Sequence, residues 1–84
     1  MEGFKFRERR ENIEKIYDEV NGLVDKKSVD QASEMLKTTE TMLADLFDEE
    51  LTEIQQRSAL NLKIRIEHLG KTIFKLENKN KGNA

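Results

Sequence analysis

A chain of 84 residues and 9.8 kDa with no cysteine and no proline fits one small domain; it has neither a disulfide staple nor a thiolate metal site, so its stability must come from long helices, from self-association, or from both. Charged residues at 38% and hydrophobic residues at 36% are too apolar a mixture for outright disorder, and no apolar run approaches the ~20 residues of a membrane span. The formal charge of −2 hides a polarity of +2 over residues 1–10, −9 over 11–54 and +5 over 55–84, which bears on association and not on fold.

The opening residues, MEGFKFRERRENIEKI, carry no apolar leader region, and a cytoplasmic protein is the expectation. The first periodic segment spans about residues 4–26. Ile13, Ile16, Val20 and Leu23 recur at the spacing of one amphipathic helical stripe, Phe6 extends it, and Tyr17 and Val24 widen it. Gly22 costs about 1 kcal/mol relative to alanine inside a helix. Two ends are therefore open to this helix. It stops at Asn21 with Gly22 as a left-handed cap, or it runs on to Lys26 and Lys27, whose charges suit a helix C-terminus.

Ser28-Val29-Asp30-Gln31 has the form of a capping box, with the serine hydroxyl and the glutamine side chain each meeting the other's amide. A second helix is predicted over about residues 29–47. Ala32, Leu36, Thr39, Leu43 and Leu46 form its stripe, broadened by Met35, Met42 and Phe47. The β-branched run at Thr38-Thr39 and Thr41 weakens local propensity, and the apolar period outweighs it. The methionines read as core fillers.

Thr52-Glu53-Ile54-Gln55 repeats the capping-box pattern and opens a third segment to about residue 77, with a frayed tail over 78–84. Its seam is Leu62, Ile66, Leu69, Ile73 and Leu76, with Leu51 and Ile54 on or near its N-terminal extension. A competing signal overlaps it. Leu60-Asn61-Leu62-Lys63-Ile64-Arg65-Ile66 alternates strictly, as a half-buried strand does, and His68-Leu69-Gly70-Lys71 would turn it back along Thr72 to Leu76. The helix is preferred because the seam runs straight through that turn, and because a lone hairpin needs a helix face to cover it. The expected fold is all-α: a helical hairpin plus a long third helix in one small three-helix bundle that self-associates. The alternative is an α+β chain with two helices and a C-terminal β-hairpin.

In a helical third segment, Leu60 and Ile64 point nearly opposite to Leu62 and Ile66, and Phe74 returns close to the Leu60 side. A bundle helix needs only one apolar face, so this second face predicts another chain. The expected function is a non-catalytic protein–protein interaction module, a small adaptor, chaperone-like or inhibitory protein, docking helix on helix. Leu60, Ile64 and Phe74 are its expected apolar anchors, and Asp45, Asp48, Glu49 and Glu50 would steer a partner protein with a basic surface.

The other candidates are weaker. His68 is the only histidine, and Ile64 and Thr72, one turn away, supply neither an orienting carboxylate nor a nucleophile. Asp45, Asp48, Glu49 and Glu53 lack the glycine and ligand alternation of a calcium loop and read as a helix-end acidic patch. Ser28, Ser33 and Ser58 lie in no nucleophile elbow, and no glycine-rich phosphate cradle occurs. An enzyme, a metal, a cofactor and a membrane surface are therefore not expected. The runner-up is a nucleic-acid-associated regulator whose phosphate contacts come from Arg7, Arg9 and Arg10 and from Lys63, Lys71 and Lys75. The acidic middle of the chain and the lack of an aromatic stacking platform count against it.

Overall fold

The computed structural model describes residues 1–82, with side chains as far as Lys79. Three helices follow one another along the chain: α1 (Gly3–Asp25), α2 (Val29–Phe47) and α3 (Glu53–Gly82). Among the described residues there is no strand, so the Leu60–Ile66 alternation belongs to a helix and the β-hairpin alternative is overturned. The chain runs up, down and up. Arg9 of α1 meets Glu49 past the end of α2, and Gly70 of α3 packs against Leu36 of α2. The bundle measures 49 × 17 × 15 Å, a rod one helix pair across.

The apolar stripes lie where the sequence places them. Ile13 and Val20 of α1, Leu46 of α2, and Leu62 and Ile66 of α3 are at most 2% exposed, and full burial of such a side chain contributes ~1.5–3 kcal/mol. All five members of the α2 stripe are buried, Thr39 included. The Thr39 hydroxyl is satisfied within its own helix, donating to the Met35 carbonyl at 3.0 Å. Ile54 departs from expectation. It is 79% exposed, because the core seam of α3 reaches back through Ala59 to Gln55, one position off Ile54 and on another face.

Of the two ends open to α1, the longer is the one formed. Gly22 is helical, and the helix closes at Lys26 with Lys27 in the left-handed region at φ 62°. The amide of Ser28 donates to the Leu23 carbonyl at 2.8 Å and that of Lys27 to Val24 at 3.0 Å, the paired bonds of a Schellman ending. This ending also explains why the Ser28 capping box is not made. Ser28 stands at the N-cap with no side-chain cap bond, and its amide, which Gln31 would have to reach, is already committed to Leu23. Thr52, whose amide is not claimed by a preceding helix, makes the reciprocal pair with Gln55 at 3.0 and 3.2 Å.

A methyl group built on Gly22 meets nothing within 4 Å. Gly22→Ala therefore raises the unfolding free energy by about 1 kcal/mol through the backbone freedom removed from the unfolded chain, read as a higher midpoint in urea with an unchanged slope.

α3 is helical as far as Gly82, five residues beyond the expected end at about residue 77. Each added residue gains a backbone bond, no proline interrupts the run, and lysines toward its end suit the negative pole of the helix dipole. Residues 83 and 84, also placed in the tail, lie outside the described residues.

Candidate functional site

The antiparallel pairing of α2 with α3 leaves an open apolar groove of about 770 Å³ along one side of the rod. Leu43 and Phe47 of α2 and Ile66, Gly70 and Phe74 of α3 form its floor and walls. Leu43 and Ile66 belong to the buried core, Phe47 is half-buried, and Phe74 is 64% exposed, so the groove is the place where the core reaches the surface. Gly70 makes it possible. A Cβ there would stand 3.3 Å from Cδ2 of Leu36, and without one the two helices approach closely and leave a trough instead of a ridge.

The two rims differ in charge. Glu40 and Asp48 stand on the α2 side, and Lys63, Lys71 and Lys75 on the α3 side, with Glu67 among them. Lys63 lies with its Nζ 5.9 Å from the centre of the Phe47 ring and 3.9 Å from Glu67. It therefore stands beside the Asp48 end of the groove, while Lys71 and Lys75 stand toward Glu40. These charges are exposed, so they are screened by salt and act on approach and orientation more than on stability.

The expected anchors do not share one patch. Phe74 lines the α2–α3 groove. Ile64, 63% exposed, borders a shallow hollow on the α1 side beside Tyr17 and Arg65. Leu60 is 45% exposed and lines neither concavity. The acidic group is also divided. Asp48 is on the groove, Asp45 faces α1 near Arg9 and Asn12, and Glu49 accepts from Arg9 at 2.9 Å. Glu50 is exposed, and its carbonyl accepts from the Met1 amine.

The arginines expected for phosphate contacts are largely occupied within the bundle. Arg9 is paired with Glu49. Arg10 is paired with Glu14 one turn on, and Arg65 approaches the other oxygen of that carboxylate at 3.8 Å while lying 4.9 Å over the Tyr17 ring. Arg7 is exposed at the start of α1. The contact of Tyr17 with Arg65 sets the register of the parallel α1 and α3. By that register Lys71 and Lys75 stand about 21–27 Å along the rod from the Arg9 level, at 1.5 Å per residue. Lys63 lies about 9 Å from the Arg9 level by the same register, and Glu67 separates it from Lys71 and Lys75 on the α3 rim, so the basic groups form no continuous stripe.

Phe47 and the close approach at Gly70 were not singled out as site residues by the sequence. The signal for Phe47 was its place at the edge of the α2 stripe, beside an acidic helix end. His68 is exposed on α3. Among the described residues, no three His, Cys, Asp or Glu side chains gather as a metal group, and no helix is long and apolar enough to cross a membrane. No family model matches the chain, and neither the curated proteins nor the solved structures contain a match to it.

Proposed function

We propose that the protein is a non-catalytic protein–protein interaction module whose working surface is the α2–α3 groove. One observation carries this reading: the apolar floor opens to solvent between an acidic rim on α2 and a basic rim on α3. Such a surface fits the apolar face of a helix, or a pair of helices, with basic side chains toward α2 and acidic ones toward α3. Phe74 and Phe47 act as anchors, since large aromatic side chains that lose their remaining exposure on docking dominate interface energetics. Glu40, Asp48, Lys63, Lys71 and Lys75 set orientation and accelerate encounter. The module works by occlusion or bridging, as an adaptor, chaperone-like or inhibitory protein does, in the cytoplasm. The interruption of the lysines by Glu67 and the internal pairing of Arg9 and Arg10 favour this reading over phosphate binding.

The test compares the wild type with Phe74→Lys as baits in extracts of the source cells. Phe74 is exposed, so the variant keeps its helical circular dichroism. A protein retained by the wild type and lost with the variant is the expected result. Identical retained sets from both baits overturn the groove as the working surface.

A further inference from the structure

We propose that a second copy of this chain covers the α2–α3 groove, related to the first by a two-fold axis running parallel to the helices. The inference rests on the docking reading above and names the occupant.

The argument comes from the charges on the rims. A groove with an acidic rim on one helix and a basic rim on the other carries its own complement, and a two-fold dimer brings the same face of each copy together. Two limiting directions exist for the axis in the plane of contact. With the axis across the helices, α2 lies on α2 and α3 on α3, which sets Glu40 and Asp48 against themselves and the lysines against lysines. With the axis along the helices, α2 of one copy lies over α3 of the other, acidic rim over basic rim, and heights along the rod are conserved. The heights then match. Lys63 stands beside Phe47, next to Asp48, at one end of the groove, and Gly70 beside Leu36 sets Glu40 near the height of the turn that carries Glu67 and Lys71 at the other. Asp48 of each copy therefore faces Lys63 of its mate, and Glu40 faces the turn that carries Glu67 and Lys71, with Lys71 as its partner, four unlike pairs around two apolar floors. Like charges placed opposite one another oppose association and unlike pairs favour it, so the charges select this axis over the other.

The experiment measures mass by sedimentation equilibrium on the full chain and on two charge-reversed chains, Glu40→Lys with Asp48→Lys, and Lys63→Glu with Lys71→Glu. The wild type is expected to show twice the 9.8 kDa of one chain, in an equilibrium that weakens as salt rises. Each reversed chain turns the four unlike pairs into like-charged ones and dissociates on the order of 100-fold more readily. Mixed in equal amounts, the two reversed chains restore unlike charges in the four pairs and regain the doubled mass. Should a doubly reversed chain lose its helical circular dichroism, the single pair Glu40→Lys and Lys71→Glu makes the same comparison. A wild type that stays at the mass of one chain at millimolar concentration overturns the inference, as does a dimer indifferent to both reversals, or a mixture of folded variants that stays monomeric. A monomeric wild type whose Phe74→Lys variant still loses a retained protein overturns the second copy alone. A monomer without groove-dependent retention overturns the docking reading as well.

Discussion

Leu62→Ala lowers the unfolding free energy by about 2–5 kcal/mol, whereas Leu60→Ala, two residues earlier, changes it by less than about 1 kcal/mol. Leu62 is fully buried, and its truncation opens a cavity between α3 and the other helices that neighbouring side chains refill only in part. Leu60 is 45% exposed, so its truncation removes little buried surface and gains slightly in helix propensity. Ile66→Ala and Ile64→Ala repeat the contrast, at 2% and 63% exposure. A core of this size supplies only ~3–5 kcal/mol in all, so Leu62→Ala leaves much of the chain unfolded. Urea titrations followed by circular dichroism check the series. The comparison also tests the architecture, because a strand carries all four side chains on one face and costs them alike. Equal losses at positions 60 and 62 would contradict a helical α3.

Gly70→Val lowers stability by about 1–3 kcal/mol, while Gly70→Ala shifts it by less than about 1 kcal/mol. Alanine gains the helix propensity that glycine lacks, and the displacement of Leu36 by a few tenths of an ångström offsets that gain, since the new Cβ stands 3.3 Å from Leu36 Cδ2. Valine adds two methyl groups with one strongly preferred rotamer in a helix, and buried Leu36 must shift further to admit them. The result contrasts with Gly22→Ala, where open space leaves only the gain. Thermal melts of the three variants give the order Gly22→Ala above wild type and Gly70→Ala near it, with Gly70→Val well below. Gly70→Val at or above wild type would show that the α2–α3 approach does not depend on the missing side chain.

Periodicity made the three helices and nearly all of their buried faces legible, because amphipathic helices expose their core side every three to four residues. It also resolved the ambiguity over Leu60–Ile66. Alternation is a property of seven residues there, whereas the seam from Leu62 to Leu76 is a property of fifteen, and the longer pattern determined the fold. Local pattern could not decide whether Ser28 caps α2, because its amide was claimed by the ending of α1, a competition between two adjacent helices. The exposed second face of α3 was legible as well, with Leu60, Ile64 and Phe74 all at the surface.

How those surface residues divide was not legible. Phe74 joins Phe47 and Leu43 across a helix pair, which depends on how far each helix is rotated toward its neighbour, and no single helix encodes that angle. The acidic run from Asp45 to Glu50 reads as one patch in the sequence. Asp45 and Asp48 stand only about 60° apart around α2, however, on either side of the boundary between its groove and α1 faces, and Glu49 turns to α1. The pairing of Arg9 with Glu49 joins residues 40 positions apart, beyond the reach of any spacing rule within a helix.

The up–down–up order of the helices has a kinetic consequence. α1 meets α2, and α2 meets α3, across connections of only a few residues, so most of the native surface forms between stretches adjacent in the chain. Only α1 against α3 requires a long closure, and the Tyr17–Arg65 and Glu14–Arg65 contacts fasten it once the hairpins exist. The loop entropy spent before the first reward is therefore small, which places such a topology among the microsecond-to-millisecond folders and leaves little time for apolar faces to find the wrong neighbour.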